Sequence, residues 1–83
     1  MKRDILYFAS LRERVGAPRE TVESGAATVR ELVAELAAAS PAHAAAFADL
    51  KALRCALDQR FADLDAPLGE AREIAFFPPM TGG

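Results

Sequence analysis

Scarcity defines this sequence before any motif does. Its 83 residues include one cysteine, Cys55, one histidine, His43, one tyrosine and no tryptophan. A lone cysteine permits no internal disulfide and cannot assemble a cysteine-based zinc or iron–sulfur site, which fits a reducing cytoplasm. No sign of charge dominates either: the formal net charge is -2 and the basic residues are scattered, so the basic footprint of a nucleic-acid-binding protein is missing. Long apolar runs are absent as well. The Ala-rich middle is broken by Ser40, Pro41, His43 and Asp49, well short of the roughly 18 apolar residues that a bilayer span needs. Near the start, the run Ile5 to Ala9 is too short for a signal-peptide core and ends in charge. The expectation is a cytoplasmic, soluble protein with neither nucleic acid nor membrane as partner.

The frameworks of side-chain chemistry are equally thin. HExxH, CxxC, P-loop and GxGxxG patterns do not occur, so metal, redox and nucleotide sites lack their usual scaffolds. No metal site and no cofactor bound by this chain alone are expected. His43, in "SPAHAAAF", reads as a solvated or helix-packed imidazole with no obvious partner. Cys55 shares strand parity with Leu53 and Leu57, which points to a buried small hydrophobe rather than a reactive thiolate. Asp63 with Asp65, and Glu70 with Glu73, fall where exposed turns would leave solvated charges. Arg12 and Arg14, in "LRER", read as a solvated turn, with docking to an acidic partner as the alternative.

What is present organises as an α+β domain. At this length the whole chain, residues 1–83, is one domain, near the size at which folding buries only about 60% of the unfolded surface. Ile5 to Ala9 predicts a first strand with apolar residues at both parities, as in a strand covered or coverable on both faces. Ser10 to Val15 fits a helical turn closed by Gly16, and Arg19 to Glu23 an edge strand paired back by a hairpin. Thr28-Val29-Arg30-Glu31 matches a capping box, in which the Thr hydroxyl and the Glu carboxylate satisfy free N–H groups at a helix start. Val29, Leu32, Val33 and Leu36 then follow the spacing of one apolar helical face. Ser40-Pro41 opens a second short helix running toward Leu50. Leu53, Cys55 and Leu57 alternate with polar or small residues as in a half-buried strand, Asp58-Gln59 turns it toward a short strand around Phe61, and Glu73 to Phe77 is the last strand.

That arrangement leaves a mismatch. About twenty helical residues cover one face of a small sheet, yet both central strands carry large apolar groups on both faces. With Ile5, Tyr7, Ile74 and Phe76 turned to the helix, alternation turns Leu6, Phe8, Ala75 and Phe77 away from it. Either that second face is a docking surface, or the second short helix or a loop folds over it.

The chain closes with "FFPPMTGG". Pro78 and Pro79 cannot continue a sheet ladder and lift the chain off it. From there Met80, Thr81, Gly82 and Gly83 complete a tail of six residues, long enough to reach about 20 Å when extended. Glycines lack a Cβ and pass a narrow channel, and the only functional group at the tip is the carboxylate of Gly83. Made into a leaving group elsewhere, for example by adenylation, that carboxylate becomes an acyl carrier; a frayed tail without function is the other reading.

Four segments, "ILYFASLRERVG", "TVRELVAEL", "ALDQRFADLDAPL" and above all "EIAFFPPMTGG", give the chain a resemblance, over its whole length, to the small sulfur-carrier subunits of molybdopterin synthase, the MoaD family. The resemblance implies a ubiquitin-like β-grasp, a mixed sheet with first and last strands central and parallel and a helix packed on one face. It implies that an E1-like enzyme uses ATP to adenylate Gly83, that sulfur converts it to a thiocarboxylate, and that the tail delivers this sulfur to cyclic pyranopterin monophosphate in a pocket of the large synthase subunit. The chain would then be a non-catalytic sulfur donor in a complex of two copies of each subunit. Phe8, Phe61 and Phe77 match the family's hydrophobic docking surface. One departure stands out: relatives often carry an acidic residue, Gly and Asp before the last strand, where this chain has Glu70-Ala71-Arg72 after Gly69, leaving the turn type open. The competing functions are a sulfur carrier for thiamine or tRNA thiolation, against which "FFPPMTGG" argues, a ubiquitin-like modifier of lysines, and a passive binding module.

Overall fold

The computed structural model describes residues 1–79; Met80, Thr81, Gly82 and Gly83 lie outside the described residues. Strands β1 (Lys2–Tyr7), β2 (Arg19–Glu23), β3 (Arg54–Leu57), β4 (Arg60–Ala62) and β5 (Glu73–Phe77) form one sheet in the order β2-β1-β5-β3-β4. β1 and β5 are neighbours at its centre and run parallel, with Ile5 opposite Ile74 and Tyr7 opposite Phe76. The other pairs are antiparallel. This is the β-grasp arrangement expected from the sequence. Helices α1 (Ala9–Val15), α2 (Val29–Ala37) and α3 (Pro41–Ala46) pack with a 3-10 turn (Leu50–Ala52) around the sheet.

The helix-facing side is the core. Ile5, Tyr7, Ile74 and Phe76 are at most 1% exposed and meet Val29, Leu32, Val33 and Leu36 of α2. Phe47 stands edge-on to Phe76 with ring centroids 5.1 Å apart, a geometry aromatic quadrupoles favour. Cys55 is 1% exposed and belongs to this cluster, as its parity with Leu53 required.

Local chemistry sets the element boundaries. The Thr28 hydroxyl accepts from the Glu31 amide at 3.2 Å and caps α2. The reciprocal half of the box differs from expectation, because the Glu31 carboxylate faces the Thr28 hydroxyl at 3.3 Å instead of the Thr28 amide. Ser40 caps α3, accepting from the His43 amide at 3.0 Å, with Pro41 in its first turn. α3 stops at Ala46 rather than running toward Leu50, and the chain retightens into the 3-10 turn capped by Asp49. Asp58 and Gln59 both take positive φ, 48° and 70°, the pattern of a two-residue hairpin turn whose twist matches the strands. The Asp58 carboxylate then accepts from the amides of Arg72 and Glu73 at 3.0 and 2.9 Å, fastening the β3–β4 hairpin to the start of β5.

Two boundaries move. β1 begins at Lys2 and ends at Tyr7, not Ala9, because Ala9 adopts φ 52° and folds the chain directly into α1. The turn left open before β5 is built on Gly69, also at φ 52°, with the Ala71 amide donating to the Leu68 carbonyl at 3.0 Å. Its carbonyls are held by Arg3, whose burial no local pattern announces. Arg3 is 5% exposed and donates to the Ala71 and Gly69 carbonyls at 2.5 and 3.1 Å. No helix among the described residues is long and apolar enough to cross a membrane.

Candidate functional site: an aromatic groove at the tail exit

Residues paired in register share a face of the sheet. On the side away from the helices, one row therefore runs Leu6, Ala75, Ala56, Phe61 across β1, β5, β3 and β4, and the next pairs Phe77 with Arg54. Ala56 and Ala75 make this face nearly flat in its middle. Its large groups gather at one end, where Phe8 and Phe61 are 47% and 87% exposed. Phe61 and Phe77 stand edge to face, their centroids 5.8 Å apart. Phe8, the residue before α1, is still extended at φ -122° and ψ 151°, so strand alternation puts it on the same side as Leu6, and the positive φ of Ala9 then turns the chain away into α1. Phe8, Ala9, Phe61, Phe77, Pro78 and Pro79 line one shallow groove of about 400 Å³. The three phenylalanines singled out from the sequence are thus brought together, and the first two tail residues form the groove wall. Among the described residues, neither α3 nor a loop covers Phe8 or Phe61.

Among the described residues, the groove lining holds no acid, base or nucleophile. Fully burying a Phe side chain is worth about 1.5–3 kcal/mol, so a surface that leaves Phe61 almost bare forgoes stability that only a partner can recover. The residues with chemical potential lie elsewhere. Cys55 is buried, and burial, helped by the charge of Asp63, pushes its thiol up. Its Sγ donates to the Ala62 carbonyl at 3.2 Å. Asp65 pairs with Arg30 at 2.8 Å, and that guanidinium holds its carboxyl below the ordinary range. Arg12 and Arg14 are exposed on α1. Among the described residues no group of three or more His, Cys, Asp or Glu could hold a metal ion.

His43 differs from expectation, because it has a partner. Its Nε2 lies 2.7 Å from the Glu20 carboxylate on β2, and its Nδ1 lies 2.7 Å from the Ser40 hydroxyl. The same carboxylate accepts from the Tyr7 hydroxyl at 2.7 Å. Burial, the hydrogen bond to Glu20 and its charge together raise the Tyr7 phenol far above its usual value. This chain of contacts ties β1, β2 and α3 together on the helix side and lies outside the groove. No local pattern links Glu20 to His43, 23 positions away, so only the folded topology reveals the pair. Ala9 and Arg54 also escaped the sequence reading as contributors to the aromatic end. A backbone angle leaves no trace in the residue type, and the alternation of Arg54 with Leu53 and Cys55 could have given its outward face but not its place opposite Phe77.

The model of the ThiS family matches residues 5–83. The molybdopterin synthase sulfur carrier subunit of Escherichia coli (strain K12) is 42% identical over 79 residues, covering 95% of this chain and 96% of that protein. The subunit of the same name from Chlamydomonas reinhardtii is 36% identical over 87 aligned positions, spanning both proteins end to end. Among solved structures, small archaeal modifier protein 1 of Haloferax volcanii superposes with a TM-score of 0.76 at 27% identity, covering 95% of this chain and 98% of that one.

Proposed function

This chain belongs to the ThiS family, and we propose that it is the sulfur carrier subunit of a molybdopterin synthase. The observation that carries the reading is the 42% identity to a protein of that name along nearly the full length of both. The groove supports it: a docking surface with no reactive side chain lies where Pro78 and Pro79 leave the sheet, so the reactive group must be one that the tail delivers.

In this reading the Gly83 carboxylate attacks the α-phosphate of ATP in the site of an E1-like activating enzyme, releasing pyrophosphate. A sulfur nucleophile then displaces AMP and leaves a thiocarboxylate. The aromatic groove docks on the large synthase subunit, whose pocket receives the tail, and the sulfur passes to cyclic pyranopterin monophosphate to build the dithiolene. Two copies of each subunit make the complex, in the cytoplasm. This chain contributes the donor atom and its aim; ATP is consumed by the activating enzyme and no cofactor is held here.

The test is a truncation. Removing Gly83 shortens the reach by about 3.3 Å, and since a misplacement of 1 Å can cost on the order of a hundredfold in rate, molybdopterin formed in a reconstitution with activating enzyme, ATP, sulfur source, large subunit and precursor should fall at least that far while the domain stays folded. Wild-type yield from the truncated chain would sink the carrier reading. Fold likeness to a protein titled a modifier gives the isopeptide alternative its one support. Intact mass of the protein isolated from cells separates the two: a carrier is found free with sulfur in place of oxygen, a modifier in covalent adducts with other proteins.

A further inference from the structure

Arg54 stands directly opposite Phe77 in the β3–β5 register, on the face away from the helices. With Cys55, Phe61, Ala62 and Phe77 it lines a hollow of about 280 Å³ continuous with the aromatic end of the sheet. Its side chain is exposed, yet its arm is already fixed: Nη1 donates to the carbonyls of Lys51 and Leu53, both at 3.0 Å. The four ion pairs among the described residues engage Arg19, Arg30, His43 and the N-terminus, and none engages Arg54. Asp63 and Asp65 line the adjoining cavity with it, but Asp65 is held by Arg30 and Asp63 accepts from the Asp65 amide at 3.0 Å.

A guanidinium presents a planar fork that matches a carboxylate. Held beside an apolar surface, it fits the usual anatomy of an interface, an aromatic centre with arginine next to it. Because two carbonyls already fix the arm, less side-chain freedom is lost when a partner binds. Once Phe61 and Phe77 are seated against that partner, water is displaced and the charge pair strengthens. The chain carries a net charge of -2 and no basic cluster, so the complement is a single acid group on a protein rather than a polyanion.

We propose that Arg54 is a specificity-determining residue of the docking surface and pairs with a carboxylate that the large synthase subunit presents at the β3 side of the aromatic groove. The inference rests on the carrier reading above and adds a register lock: the phenylalanines supply contact, and Arg54 fixes which way the partner lies.

The experiment is titration calorimetry of the full chain against the large subunit at low and high salt, with Arg54→Ala, Arg54→Lys and Phe61→Ala. Arg54→Ala should weaken Kd by about tenfold at low salt and by less at high salt. Arg54→Lys should recover part of the loss, and the thermal midpoints of both variants should match the wild type. Kd within twofold of the wild type for Arg54→Ala, with Phe61→Ala clearly weakened, overturns the inference and leaves docking intact. So does a loss that salt does not change. If neither variant weakens binding, the docking reading falls with it.

Discussion

The two faces of the sheet are made from the same five strands and do opposite things. Toward the helices stand Ile5, Tyr7, Ile74 and Phe76, each at most 1% exposed. Away from them the middle is paved with Ala56 and Ala75, and the large groups, Phe8, Phe61 and Phe77, are displaced to one end beside the tail. Alternation along β5 puts Ile74 and Phe76 on one side and Ala75 and Phe77 on the other. Consecutive residues of one strand thus do two things: one face holds the domain together, and the other leaves bare the aromatic end at which docking is proposed. Substitutions on the two faces should separate stability from association.

The sharpest way to break that comparison is a pair of neighbouring truncations. Phe76→Ala removes a fully buried ring that contacts Tyr7 and Phe47, and should cost about 3–5 kcal/mol in urea unfolding. That is a large share of the 5–15 kcal/mol that a small domain has in total. Phe77→Ala should leave unfolding within about 1 kcal/mol of the wild type while weakening association with the large subunit by roughly 1–3 kcal/mol, as for an interface anchor. Equal losses of stability from the two variants would show that the faces are not divided as described.

The division was legible in the sequence because it rests on period-two parity, which strands obey whatever their neighbours. The capped helices, the Asp58-Gln59 turn and the central place of the first and last strands were legible for the same kind of reason: each depends on a local signal or on the apolar character of a whole strand, whereas the parallel pairing of those two strands was implied by the family resemblance. What escaped depends on position in three dimensions. Arg3 is buried because two carbonyls of the Gly69 turn, 66 and 68 positions along, converge on its guanidinium. His43 was expected without a partner and finds Glu20 only because α3 packs against the edge strand. The end of β1 was overrun by two residues because apolar content continues through Phe8 and Ala9 while the backbone does not. The tail proposed to deliver the reactive carboxylate was read from the order of residues Pro78 to Gly83, and its last four residues lie outside the described ones.

Ala9 offers a smaller test that sharpens the comparison. A left-handed angle costs an alanine about 1–2 kcal/mol, because Cβ crowds the following carbonyl, whereas glycine takes it freely. Strain of this kind tends to sit at functional sites, and here it falls at the turn from β1 into α1, directly after Phe8 and in the lining of the groove. Ala9→Gly should raise stability by about 0.5–1 kcal/mol, net of the extra freedom glycine gives the unfolded chain. Partner affinity should be unchanged, because Phe8 is placed by its own extended backbone and its hydrogen bond to the Phe76 carbonyl. A loss of stability would show that the angle stores no strain.

The smallest expected effect lies on the helix side, at Glu20. Burial alone would raise its carboxyl, but hydrogen bonds from His43 and Tyr7 and the charge at His43 outweigh that and hold it below its ordinary value of 4.5. A carboxyl lowered in the folded state releases its proton more readily there than in the unfolded chain, so its contribution to stability is complete above about pH 4.5 and is lost as the pH falls through the lower folded value. Glu20→Gln keeps the shape and the acceptor but cannot titrate. Comparing urea midpoints at neutral pH and below 4.5, the wild type should lose more stability than the variant on acidification. Binding of the large subunit at neutral pH should be the same for both, since the Tyr7–Glu20–His43 contacts lie on the face opposite the groove. If the two proteins lose stability in parallel, the network contributes nothing through charge. If instead the substitution weakens partner binding at neutral pH, the two faces are coupled and the independence drawn from their side chains fails.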